Sequence, residues 1–116
     1  MADIQQSLTE LDAMTRSGQI LEALDKFYAE NCQFQEGNQA PRVGRATQKA
    51  HLEGFFQTLK AFHGATLHSN AVDGDVSLSE YTFSMEGPDG PLLWNEVLRR
   101  LWRDGKVVSE RYYQAA

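Results

Sequence analysis

Apolar residues at Ile4, Leu8, Leu11 and Met14 recur at spacings of four, three and three, the period of one helix face, and predict a helix from Asp3 to about Arg16. Asp3 stands where an N-cap belongs and Gly18 where a helix stops. In the next helical stretch Ile20, Leu21, Leu24, Phe27 and Tyr28 form an apolar stripe, while Glu22, Asp25 and Lys26 lie on the wet side. After Glu30 and Asn31 the period drops to two, with Cys32, Phe34 and Glu36 on one side and Gln33 and Gln35 on the other. This predicts a half-buried strand with a carboxylate on its apolar side. The turn-rich run from Gly37 to Gly44 ends it, and helical spacing returns from about Ala46 to Phe62 through Leu52, Phe55, Phe56 and Leu59. Beyond Gly64 the pattern is strand and turn: Ala65 to Val72, Val76 to Glu86, Leu92 to Trp102 and Lys106 to Gln114. The Asp-Gly-type turns between these runs predict an antiparallel meander.

Helices followed by a meander make an α+β fold in which the sheet must bury one face against the helices. The expected architecture is a cone-like barrel, three N-terminal helices packed in a curved, mostly antiparallel sheet. Such a cone is a natural small-molecule pocket, because inward-facing polar positions on its strands are held precisely within an apolar wall.

Composition narrows the partners. A length of 116 residues suits one domain, expected to span 1–116. Eleven Lys and Arg against sixteen Asp and Glu leave a net charge of −5, so the positive field that nucleic acid requires is missing. One cysteine forms no internal disulfide, and three histidines give no cluster at metal-ligand spacing, so neither metal nor cofactor is expected. The stretch Met1 to Ser7 has no basic or apolar leader character, and no apolar run approaches the roughly 18 residues of a membrane span. A soluble, cytoplasmic protein with no membrane partner is expected.

The order helix, helix, strand, helix, meander resembles the nuclear transport factor 2-like superfamily, which includes SnoaL-like and ketosteroid-isomerase-like proteins. The resemblance is carried by the passage from Glu22 to Glu36, by Pro41-Arg42-Val43-Gly44 before the third helix, by Phe62-His63-Gly64-Ala65, and by the closing run from Trp102 to Tyr113. It covers roughly Leu11 to Tyr113 and points to the SnoaL-like branch. It implies a cone that binds a small apolar or polyketide-like molecule and a homodimer formed through the outer sheet face. If the chain is an enzyme, it implies proton abstraction next to a carbonyl, of isomerase, cyclase or dehydratase type. The superfold also hosts non-catalytic binders and interaction modules, which remain the competing class.

Glu36 is the first candidate, because alternation sets it beside Cys32 and Phe34, where burial would raise its pKa toward neutrality. The resemblance aligns it with the general base of the isomerase branch, which has Asp there. Glu110 and Tyr112 are the next catalytic candidates, as its acid or orienting partner. Their face depends on the last turn: a two-residue Asp104-Gly105 turn pairs Arg99 with Glu110, and a three-residue turn with a bulge pairs Leu98 with Glu110. The resemblance favours the second, with Glu96, Leu98, Arg100, Trp102, Val108, Glu110 and Tyr112 inward. Tyr28, Cys32 and Phe34 complete the expected pocket lining. The plainer alternatives are a solvated Glu36 at the strand's mouth and an Arg100–Glu110 or Arg99–Glu110 cross-strand pair on an exposed face, without function. The enolate-stabilising donors of the isomerase branch would fall near Leu11 and Leu98, both aliphatic. His51, His63 and His68 are read as surface or capping residues, with His63 at the end of the third helix, and Cys32 as an inert buried thiol.

Overall fold

Helix α1 (Ile4–Arg16) opens with Asp3, whose carboxylate accepts a hydrogen bond from the Gln6 amide at 2.7 Å. A cap of this kind is worth about 1 kcal/mol. Ser17 and Gly18, the latter at φ 84°, end it and let α2 (Ile20–Phe27) start at once. The computed structural model describes residues 3–115, so Met1, Ala2 and Ala116 of the expected span lie outside the described residues. Strand β1 (Tyr28–Glu36) follows α2 without a loop, and a two-residue strand β2 (Arg42–Val43) pairs back onto it. Helix α3 (Arg45–Thr58) leads to the meander β3 (Ala61–Asp73), β4 (Val76–Gly87), β5 (Gly90–Arg103) and β6 (Lys106–Gln114). The sheet runs β2-β1-β6-β5-β4-β3, with β1 and β6 parallel and every other pair antiparallel. It is curved and unclosed, with the three helices against its concave face. Among the described residues no helix is long and apolar enough to cross a membrane.

Three boundaries differ from the sequence-based expectation. β1 begins at Tyr28 rather than near Cys32, because Tyr28 already pairs with Val107 of β6. α3 ends at Thr58 rather than Phe62, since Leu59 is extended and Phe62 pairs with Met85. His63 therefore sits in β3, exposed, and does not cap a helix.

The last hairpin also corrects both expected registers. Its turn has two residues, Asp104 and Gly105, both at positive φ, so Arg103 faces Lys106 and Trp102 faces Val107. A bulge then shifts the pairing, so that Leu101 faces Ser109 and Arg100 faces Glu110. Val107 points into the core in place of Val108, and the extra residue restores Glu110 to the same face. Neither Arg99 nor Leu98 opposes Glu110.

Two apolar clusters fill the concavity. Leu11, Leu24, Phe27, Cys32, Phe34, Trp102 and Val107 pack the closed end, and Tyr81, Phe83, Met85 and Leu98 pack the β4–β5 wall. A second bulge in β3 sets Gly64 at φ 113° against helix α1, where a Cβ would lie 3.3 Å from the Arg16 carbonyl oxygen. Gly64→Ala is therefore expected to lose about 1–3 kcal/mol in a urea melt, since both the backbone angle and the close approach oppose a side chain.

Candidate functional site

The open end of the cone is a cavity of about 560 Å³ between the inner faces of the strands and helix α3. On α3 the positions Gln48, Leu52, Phe55 and Phe56 fall at helical spacing and all line it. Phe55 and Phe56 stay half-buried because they face this open space rather than packed core. Opposite them β4 and β5 contribute Phe83, Met85, Trp94, Glu96 and Leu98, with Phe55 stacked on Trp94 at 4.9 Å between ring centroids.

The floor is ionic. Arg100 is 1 % exposed and lies between two carboxylates, with Nε 2.7 Å from Glu110 and Nη1 3.5 Å from Asp12. Tyr28 and Tyr112 both donate their hydroxyls to Glu110, and the Tyr28 oxygen also accepts from Arg100 Nε at 3.1 Å. On the other side Asp12 accepts from Tyr81, Ser79 and Asn70. Burial, followed by the neighbouring Glu110, pushes the Tyr112 phenol well above its ordinary range, and Tyr28 is raised by burial too. Burial works against the Arg100 charge, but the surrounding Tyr28, Glu110, Tyr81 and Asp12 outweigh it and hold the guanidinium protonated.

A polar chain connects this floor to the mouth. Gln48 donates to the Tyr112 hydroxyl at 3.1 Å and accepts from Arg42 Nε at 2.9 Å, while Arg42 Nη2 donates to Glu36 at 3.2 Å. Glu36 lines the cavity at its rim, its side chain 45 % exposed and its carboxylate 3.8 Å from His51. The expected desolvation of Glu36 is thus replaced by an ion pair at the mouth, because β1 ends there and β2 brings Arg42 alongside.

Glu96 is in the opposite condition. It points inward between Trp94 and Leu98, and no hydrogen bond or ion pair with another described residue satisfies it. Burial, then the negative charges of Glu110 and Glu36, push its carboxyl up to about 7. Among the expected lining residues Tyr28, Phe34, Glu96, Leu98 and Arg100 reach the cavity, whereas Cys32 and Trp102 do not. Those two belong to the closed end, where Trp102 packs edge-on against Phe27 and donates to Ser77, and where burial pushes the Cys32 thiol up to about 12. Asp12, like Gln48 and Arg42, is a site residue that the sequence did not single out. The signal for Asp12 was its spacing, four after Leu8 and three before Thr15, on the buried side of α1.

The model of the SnoaL-like domain matches residues 10–110. The chain belongs to the SnoaL-like domain family. No protein of curated function matches it significantly. In fold this SnoaL-like domain is similar to a Mesorhizobium loti protein provisionally assigned as a SnoaL-like polyketide cyclase, with TM-score 0.87, 17 % identity, and coverage of 97 % of this chain and 99 % of that one. A Xanthomonas campestris protein of unknown function with a cystatin-like fold gives TM-score 0.85 at 15 % identity, over 99 % and 92 % of the two chains. A Catenulispora acidiphila protein of ketosteroid-isomerase-like fold, solved in complex with trimethylamine, gives 0.75 at 15 % identity, over 92 % and 83 %. At these identities the likeness is one of fold.

Proposed function

We propose that the cone of this SnoaL-like domain binds a small, largely apolar molecule and that Glu96 is the group that exchanges a proton with it. One observation carries the reading: among the described residues Glu96 is the cavity-lining carboxylate without a hydrogen-bond or ion-pair partner, in an aromatic wall. Glu36 has Arg42, Glu110 has Arg100 and two phenols, and Asp12 has Tyr81, Ser79 and Asn70. The family and the trimethylamine-bound relative of the fold support a small-molecule occupant. A carboxyl-detected NMR titration tests it: Glu96 is expected to titrate near 7 and to shift when an apolar ligand quenches Trp94 fluorescence. A Glu96 signal that titrates near its ordinary 4.5 and ignores ligand sinks the reading.

A second reading is proton abstraction next to a carbonyl, with Glu36 as base and Glu110 or Tyr112 as its partner. It is favoured by the place of Glu36, which lines the same cavity at the end of β1. Against it, the Tyr28 and Tyr112 hydroxyls are spent on Glu110, and Leu11 and Leu98 add no donor for an oxyanion. Glu36→Gln separates the two. Stability should change by less than about 1 kcal/mol, as for other exposed ion pairs. Turnover of a carbonyl substrate would vanish only if Glu36 is the base. We also assign the outer sheet face, where Leu78, Leu93 and Tyr113 are exposed, to a homodimer, which sedimentation would show.

A further inference from the structure

We propose that the molecule held in the cone is a cation, a hydrophobic ammonium whose charge meets the Glu96 carboxylate while its carbon groups pack on the wall formed by Trp94 and Phe55. This rests on the reading that Glu96 faces a bound molecule and adds the chemical class of that molecule.

The charges around the cavity set the sign. Among the described residues three carboxylates line the cavity, Glu36, Glu96 and Glu110, against the guanidinium of Arg100, which is bound to Glu110 and Tyr28, while Arg42 at the rim is bound to Glu36 and Gln48. Glu96 on β5 looks across to Tyr81 on β4, to Glu110 and Tyr112 on β6, and to Glu36 on β1, with His51 of α3 beyond Glu36. The phenols there are committed: Tyr81 donates to Asp12 and Tyr112 to Glu110. Above neutral pH an anion, or a carbonyl that gains negative charge, would meet the unpaired Glu96 carboxylate and, among the described residues lining the cavity, no uncommitted phenol. A cation supplies the partner that the protein withholds.

The wall beside Glu96 suits the same class. Trp94 lies two residues before Glu96 on one strand, so their side chains share the concave face with origins about 7 Å apart. Phe55 stacks on Trp94, and Phe83 is its cross-strand neighbour. Aromatic faces carry negative potential and attract ammonium groups within about 6 Å, more strongly where water is excluded. A carboxylate and an indole at this spacing can contact one alkylammonium headgroup at once.

Because the Glu96 carboxyl is raised to about 7, uptake of a permanent cation must displace its proton. The probe is benzyltrimethylammonium, compared with its neutral isostere neopentylbenzene by calorimetry and Trp94 fluorescence. From about pH 5.5 to about pH 8 the ammonium affinity is expected to rise about thirtyfold, with close to one proton released per ligand near pH 6. The isostere should bind more weakly at both values. Glu96→Gln, with its fold checked by thermal melting, should lose the pH dependence and about tenfold or more of the affinity at the higher pH. Equal binding of the isostere at high pH, or ammonium affinity that is flat or falls as pH rises, overturns the cation while leaving the cone a ligand site. Absence of ammonium binding overturns it as well. In that case a panel of neutral apolar ketones decides the broader reading, which falls too if Trp94 does not respond.

Discussion

Arg100→Met is expected to destabilise the fold by about 3–5 kcal/mol, the usual result when one member of a buried ion pair is removed. The guanidinium sits between Asp12 and Glu110, which are 1 % and 4 % exposed, and its loss leaves both carboxylates in a dry interior without a counter-charge. The melting temperature should fall by more than about 10 °C. Combining Arg100→Met with Asp12→Asn and Glu110→Gln should recover part of the loss, because neutral side chains cost far less to bury. A single variant that melts within about 1 kcal/mol of the parent would mean that water or rearrangement already screens the floor.

The second large effect has the opposite sign. Glu96 has its folded-state pKa raised from 4.5 to about 7, so its contribution to stability is fully present below 4.5 and is lost as pH rises through 7. Above 7 the folded protein holds an ionised carboxylate in an apolar wall. Glu96→Gln is therefore expected to be more stable than the parent by roughly 2–3 kcal/mol at about pH 8, and nearly equal to it at about pH 4. Urea melts of the two proteins at both values check this. Equal stability at the higher pH would show that Glu96 is solvated. A stabilising substitution at an inward carboxylate is what a binding site predicts, since stability is given up there for the sake of the ligand.

Much of this architecture is legible in the sequence, and the failures have physical causes. Helix α1 and its Asp3 cap follow from local spacing and a local hydrogen bond, and the meander follows from Asp-Gly turns between alternating runs. Leu59 and Phe62 continue the helical period of α3, yet the chain turns extended at Leu59 so that Phe62 can pair with Met85, and no local signal reports that exchange. The parallel pairing of β1 with β6 is likewise tertiary: Tyr28 pairs with Val107 and Gln33 to Glu36 pair with Ser109 to Tyr112, and the register shifts across the intervening residues, which show no alternation.

The site divides in the same way. Alternation groups Glu96, Leu98 and Arg100 on one face of β5 and Glu110 and Tyr112 on one face of β6, but only the resemblance turned both groups inward to the cavity that they line. The bulge beside Val107 was not readable, because it depends on what Val107 and Glu110 each meet inside. Glu36 shows the limit of a one-strand argument. Alternation gave its side of the strand, but its exposure is set by where β1 ends and by Arg42, which arrives on another element.

The placement of β1 also bears on how the chain reaches this state. Apart from the two-residue β2, the neighbour of β1 in the sheet is β6, the last strand of the chain. Leu11, Leu24, Phe27, Cys32 and Phe34 precede by about seventy residues or more the Trp102 and Val107 that close over them, roughly the longest separation in the cluster. Contacts so distant in sequence slow folding, so closure of this end is expected to wait for β6 to dock. Until then the apolar side of the N-terminal third is exposed, which is the interval in which a chaperone, or a second unfinished copy, competes for it.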